Sequence, residues 1–246
     1  MSVLRSGTIS WNFSIAMPVF VLTEECVFPS PELARGDGLL AIGGDLSMDR
    51  LLVAYRQGIF PWYGPDSPIL WWAPDPRIVL IPQDINISRS LRQTIKKGLF
   101  KVTTDRAFRQ VITNCSMNRK IDGGDTWLTK EMIEAYVKLH EAGFAHSIES
   151  WHDGELAGGL YGVVMGGVFF GESMFFKKSN ASKVAFATIV QKLIEWGFVL
   201  IDCQVATSYL MSFGATHMPR KDFMRMIKSA IRIKTSYESW KYDEYI

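Results

Sequence analysis

Residues 200–205 read LIDCQV, an apolar run with a carboxylic acid and an amide two positions apart. Side chains alternate along a strand, so Asp202 and Gln204 are expected side by side on one face. A polar pair inside such a run is costly unless both members are hydrogen-bonded. An ionised Asp only accepts, so Asp202 can hold the Gln204 amide by its NH2 group and leave the carbonyl oxygen aimed outward. That oxygen is a very weak base, better suited to orienting an attacking amine than to deprotonating it. The bland alternative is a satisfied polar pair at a strand end.

Two further groups of residues invite chemistry. Glu172 stands in the aromatic run FFGESMFF (169–176), where a carboxylate at the lip of an apolar pocket would recognise an amine. Alternation equally allows a water-facing Glu there. Phe169, Phe186 and Ile189 are candidates to line the pocket, although a stripe of such residues is ordinarily core. Trp62, Trp71, Trp72 and Trp127 lie in Pro- or Gly-rich stretches, where aromatic faces can stack on bases. Arg89, Arg92, Lys96 and Lys97 share one helical face and offer phosphate contacts. A solvated helix face with tryptophans filling core is the competing reading. No Walker loop, dinucleotide fingerprint or metal-ligand spacing occurs. His140, His146, His152 and His217 are scattered and suggest no catalytic triad.

These residues need elements to hold them. A helix is expected over 47–58, capped by Ser47 and ended by Gly58, with Leu51, Leu52 and Tyr55 on one face. Five prolines and three tryptophans between 59 and 77 exclude a regular helix and suggest a rigid connector, with a domain boundary near 75. Strands are expected at 77–81 and 101–105, and helices at 88–98 and 106–116. Thr129 caps a strong helix to Gly143, with Met132, Tyr136 and Leu139 at helical spacing. A meander of three strands follows, turned by Asp153-Gly154 and by Gly166-Gly167. A helix over 181–197, with Asn180 as its expected cap, leads into the strand that holds Asp202. Proline opens a last helix over 219–231. Helices interleaved with strands define a mixed α/β (α+β) chain.

Composition narrows the class. The 246 residues suit one large domain or two modest ones, and the 48% hydrophobic and 21% charged residues are those of a soluble globular protein. A net charge of +2 decides nothing about partners, so its distribution matters more. Three widely spaced cysteines, Cys26, Cys115 and Cys203, argue against a disulfide scaffold and fit a reducing cytoplasm. The apolar stretch 13–22 is broken by Pro18, and no run reaches transmembrane length.

The blocks GLLAIGGDLSMDRLLVAYRQGIFPWY, ILWWAPDPR, SRSL, TWLT, AYVKLHEAGFAHSIESW, GGLYGVVMGGVFFGESMF, NASK, LIDCQV and FGATHMPRKDF occur in an order and spacing that resemble the leucyl/phenylalanyl-tRNA–protein transferase family, from about residue 18 to 235. The resemblance implies a cytoplasmic enzyme that moves Leu or Phe from charged tRNA to the N-terminal Arg or Lys of a protein, leaving a destabilising N-terminus that marks it for degradation. It implies a small N-terminal domain (17–75) before a GNAT-type acyltransferase-like domain (76–246), with 1–16 a loose extension and Met17 an alternative start. By the same resemblance Asp202 and Gln204 are the catalytic pair and Glu172 faces the amine. Trp62 and Trp127 then lie near the terminal adenosine, and Leu160, Phe169, Phe186 and Ile189 form the side-chain pocket. Arg89, Arg92, Lys96 and Lys97 meet the acceptor stem. No cofactor, metal or membrane is implied.

Leu160, Phe186 and Ile189 depart from the residue types expected at those positions, which leaves the preference between Leu and Phe open. Tyr209 stands where a His is expected. Removing Asp202 is expected to cut transfer more than tenfold with the fold intact. An acyl-CoA-dependent acyltransferase is the first rival, but the helix opening SNASK lacks the glycines of a pyrophosphate-binding turn. A non-catalytic RNA-binding module is the second; it would need the basic and aromatic surface but not Asp202, Gln204 or Glu172.

Overall fold

The computed structural model describes residues 19–121, 128–235, 240 and 243–244. The expected extension 1–16, Met17 and Trp127 lie outside the described residues. The first strands are β1 (Phe20–Leu22), β2 (Leu39–Gly43), β3 (Phe60–Pro61), β4 (Leu70–Trp72), β5 (Arg77–Leu80) and β6 (Lys101–Thr104). Then come β7 (Ala145–His152), β8 (Glu155–Met165), β9 (Val168–Phe176), β10 (Leu200–Gln204), β11 (Thr216–Met218) and β12 (Asp243–Glu244). The helices are α1 (Met48–Arg56), α2 (Arg89–Lys96), α3 (Phe108–Ile121), α4 (Lys130–Glu141), α5 (Ala181–Glu195), α6 (Ser208–Ser212) and α7 (Arg220–Ala230).

The strands form two mixed sheets, one ordered β1-β2-β4-β3 and one ordered β11-β5-β10-β9-β8-β7-β6-β12. A mixed α/β chain with helices flanking a mixed sheet is thus what the sequence builds. No helix among the described residues is long and apolar enough to cross a membrane.

Local chemistry sets the helix ends. Ser47, Ser88 and Thr129 each accept from a backbone N–H of the first turn of α1, α2 and α4. Asn180 does not cap α5: it sits in the left-handed region at φ 68° and makes no side-chain cap bond. Pro219 precedes α7 rather than opening it. Asp153 and Gly154, at φ 53° and 80°, turn β7 into β8 as a tight hairpin needs. The stretch 59–77 is more than a connector, because β3 and β4 within it complete the smaller sheet.

Alternation along the larger sheet sends its side chains to two clusters. One cluster gathers Tyr161, Phe170 and Leu200 with α3, α4, α7 and the smaller sheet, including Leu40 and Trp71. The other gathers Leu160, Phe169 and Ile201 with α2 and α5. Phe186, Ile189, Val190 and Leu193 bury the inner side of α5 against that second face. Each such side chain contributes about 1.5–3 kcal/mol on leaving water.

Candidate active site

The site opens where two strands part. Parallel pairing of β9 with β10 runs from Val168/Leu200 to Phe170/Asp202. Past that point the strands each carry an irregularity. Between β8 and β9, Tyr161 pairs Ser173 and Gly162 pairs Gly171, so Glu172 is an extra residue on β9. Between β5 and β10, Val79 pairs Asp202 and Ile78 pairs Gln204, so Cys203 is extra on β10. Bulges re-aim the side chains beside them. Gln204 completes its bulge at φ 62°.

Glu172, Ser173, Cys203, Gln204 and Val205 line the cavity of about 430 Å³ that results, within the roughly 300–1,000 Å³ of ligand pockets. Its apolar lining includes Leu160, Phe169, Phe186, Ile201 and Leu210. A Cβ at Gly162 would stand 2.3 Å from the Phe170 carbonyl oxygen and 2.5 Å from Phe169 Cζ, so only glycine admits the Phe169 ring where it lies.

Asp202 is fully buried and does not hold the Gln204 amide, which corrects the arrangement expected from simple alternation. Its carboxylate takes a two-pronged bond from Arg77, Nε to Oδ1 at 2.8 Å and Nη2 to Oδ2 at 2.6 Å. Arg77 is itself buried, its guanidinium 4.6 Å from the Phe60 ring centroid and 4.8 Å from that of Phe223. Asp202 Oδ1 also accepts the backbone N–H of Gln204 at 2.9 Å, which fixes the left-handed residue. The expectation that Asp202→Ala leaves the fold intact is not supported either, since that change would strand a buried guanidinium.

Glu172 holds the amide instead. Gln204 Nε2 donates to Glu172 Oε1 at 2.8 Å. Tyr55 donates to the same oxygen at 2.8 Å, and Tyr136 donates to Oε2 at 3.0 Å. The two phenol oxygens also contact one another. Three contacts among two hydroxyls and a carboxyl need three protons, and the tyrosines bring two. A protonated Glu172 brings the third by donating to one hydroxyl, which then donates to the other; the ionised carboxylate accepts from both.

Burial pushes the Glu172 carboxyl up to about 7. The Tyr55 and Tyr136 hydroxyls pull against that rise, the Asp202 charge adds to it, and Arg77 offsets it. Burial, then the Glu172 charge, raises both tyrosines well above their usual range, so they remain donors. With its NH2 group committed to Glu172, Gln204 presents its carbonyl oxygen as the remaining acceptor on a cavity-lining residue. Cys203, the extra residue of the β10 bulge, lines the cavity with its thiol pushed up by burial and by Asp202.

The other expected residues divide. Trp62, Leu160, Phe169 and Phe186 line the cavity. Ile189 does not: it is 1% exposed in the second core cluster and absent from the cavity lining. Trp71 and Trp72 lie on β4 rather than in a loop, and Trp71 is wholly buried. Arg89, Arg92, Lys96 and Lys97 are exposed along α2, which packs on α5. Sequence reasoning missed Arg77, and it read Tyr55 and Tyr136 only as members of apolar stripes. The signal available for the tyrosines was the phenol itself, because a buried Tyr hydroxyl usually finds a partner.

An apolar hollow whose polar wall carries a carboxyl and a fixed amide can hold an apolar group beside a hydrogen-bonded amine. The leucyl/phenylalanyl-tRNA protein transferase family model matches residues 79–228, and the model of that family's N-terminal domain matches 44–75. A leucyl/phenylalanyl-tRNA–protein transferase of Syntrophobacter fumaroxidans is 55% identical over 92% of this chain and 96% of its own. One of Desulforapulum autotrophicum is 51% identical over 91% of this chain and 98% of its own. Among solved structures, a conserved protein of unknown function from Bacteroides thetaiotaomicron is similar at TM-score 0.40 and 10% identity, covering 65% of this chain and 56% of its own. The chain belongs to the leucyl/phenylalanyl-tRNA protein transferase family and is an aminoacyltransferase.

Proposed function

We propose that the chain transfers Leu, Phe or Met from aminoacyl-tRNA to the N-terminal Arg or Lys of an acceptor protein, forming a peptide bond and a destabilising N-terminus. The acceptor amine attacks the ester carbonyl carbon. The new C–N bond forms, the bond to the tRNA ribose oxygen breaks, the nitrogen loses a proton and the ribose oxygen gains one. Gln204 orients the amine through its carbonyl oxygen, and Glu172 fixes that amide and meets the positive charge of the acceptor. Asp202 keeps the Gln204 backbone in place. Leu160, Phe169 and Phe186 hold the transferred side chain, and Trp62 stands at the mouth beside the terminal adenosine. The α2 cations meet the acceptor stem.

An ester is already activated, so holding donor and acceptor together supplies much of the acceleration, on the order of 7–11 kcal/mol. The apolar wall separates side chains that differ by one methylene by only about 1–3 kcal/mol, which favours a shared preference over a single substrate. A small N-terminal domain ending near residue 75 belongs to the same reading, supported by the change of sheet between β4 and β5. So does a cytoplasmic setting, where charged tRNA is found.

The observation that carries this reading is the meeting of Glu172 and Gln204 on the wall of the apolar cavity, in a chain of this family. The test is transfer of label from Leu-, Phe- and Met-tRNA to a peptide with N-terminal Arg. Transfer is expected from all three and not from Asp-tRNA. Absence of transfer from any of them overturns the reading.

A further inference from the structure

Beside the cavity, the turn from β9 into α5 and the start of α5 carry cations that the reaction above does not use, the Lys177 ammonium 6.0 Å from the ring centroid of Phe175. Phe176 and Ser182 both line the cavity, and the short turn between them leads from β9 into α5. Phe176 is a large aromatic ring left 55% exposed. Lys177 and Lys178 follow it on the turn, and Lys183 lies one residue beyond Ser182; all three are exposed. Both Lys177 and Lys178 give their backbone N–H to the Ala157 carbonyl, at 2.7 and 3.2 Å, which pins the turn to the sheet. The Lys183 ammonium stands 6.0 Å from the ring centroid of Tyr209, another cavity-lining residue. None of the three ammonium groups pairs with a carboxylate among the described residues.

An exposed aromatic face beside several unpaired cations is the chemistry that holds single-stranded nucleic acid. Bases stack on the ring and phosphates meet the ammoniums. The donor must bring its terminal nucleoside to the cavity, so the nucleotides just before it have to cross the rim. We infer that Phe176, Lys177, Lys178 and Lys183 form a docking rim for the single-stranded RNA segment immediately 5′ of the terminal nucleoside. Phe176 stacks on a base, and the three lysines neutralise the phosphates between the terminal nucleoside and the stem. The inference rests on the proposed aminoacyl-tRNA reaction and adds a contact separate from the α2 face.

The test compares two donors that differ in the segment concerned. Phe-tRNA carries it; phenylalanyl-adenosine has the terminal nucleoside alone. In the full chain, Lys177→Glu, Lys178→Glu and Lys183→Glu together are expected to raise KM for Phe-tRNA at least tenfold. With phenylalanyl-adenosine the same variant is expected to stay within twofold of the wild type. The corresponding triple Gln variant is expected to flatten the dependence of log kcat/KM for Phe-tRNA on log salt by about 2, near 0.7 for each single-strand phosphate no longer neutralised. Phe176→Ala is expected to raise KM for Phe-tRNA and Phe176→Trp to restore it.

Unchanged KM for Phe-tRNA in the triple Glu variant overturns the inference while leaving the reaction standing. Equal losses with both donors overturn it too, because they would place the lysines' effect inside the cavity. A wild type that transfers from neither donor overturns the reaction itself, and the rim falls with it.

Discussion

Asp202 and Gln204 are neighbours in purpose only through a backbone N–H. The charge that matters to Asp202 is Arg77, and both are buried. Removing one partner of such a pair leaves the other uncompensated and costs about 3–5 kcal/mol. Asp202→Ala and Arg77→Ala are therefore expected to lose stability as well as activity, read as a lowered Tm beside a lowered kcat. Arg77→Lys keeps the charge but not the planar fork, so it should fold, with kcat falling more than KM for the donor rises. Equal kcat in wild type and Arg77→Lys would show that the fork positions nothing.

Glu172 gives the second test at this scale. Its carboxyl is pushed from an ordinary 4.5 up to about 7, so transfer is expected to rise with pH through about 7 as the carboxylate forms. Tyr55→Phe removes a donor that favours the carboxylate and should move that limb to higher pH. For stability the sign is the reverse. A raised folded-state value means the native chain holds the proton longer than the unfolded one. The contribution of Glu172 is therefore fully present below 4.5 and is lost as pH rises through about 7. Glu172→Gln should accordingly gain Tm relative to wild type at pH 8 by more than at pH 5. Parallel Tm curves for the two proteins would contradict the shift.

Among the elements, the two bulges shape the wall of the cavity in which the reaction is proposed. Gly162 lies at the edge of one of them and lets the Phe169 ring pass. Gly162→Ala overpacks that contact, expected to cost about 1–3 kcal/mol and to raise KM for the donor as the cavity wall shifts. A thermal melt and a donor titration read the two effects. The same elements show what could be known beforehand. The helices α1, α4 and α5 and the β7–β8 hairpin have strong periods and turn residues, and sequence alone placed them. Strands β1 to β4 and β11 are only two to five residues long, too short to carry a period. The side-chain arithmetic around Asp202 failed for a different reason. Alternation assumes one residue opposite one, and Cys203 and Glu172 break that count. Nothing in the letters LIDCQV marks an extra residue. Ile189 misled because one face of a buried helix looks alike whether it borders a cavity or solid core.

For the whole molecule, the relevant feature is a core shared by two sheets. Leu40 and Trp71 of the smaller sheet pack in the same cluster as Tyr136, Phe170 and Phe223 around the larger one. Tyr55 of α1 reaches across to Glu172 on β9. The chain is therefore expected to melt in one cooperative transition, with calorimetric and van't Hoff enthalpies that agree. Two resolved transitions would show that the sheets fold separately.

Cys203 lines the same hollow as Glu172 and Gln204, and burial and the neighbouring Asp202 push its thiol up, against ionisation. Covalent inhibitors designed as warheads for this cleft would thus meet an unreactive sulfhydryl at neutral pH. Potency would have to come from shape and polarity rather than alkylation.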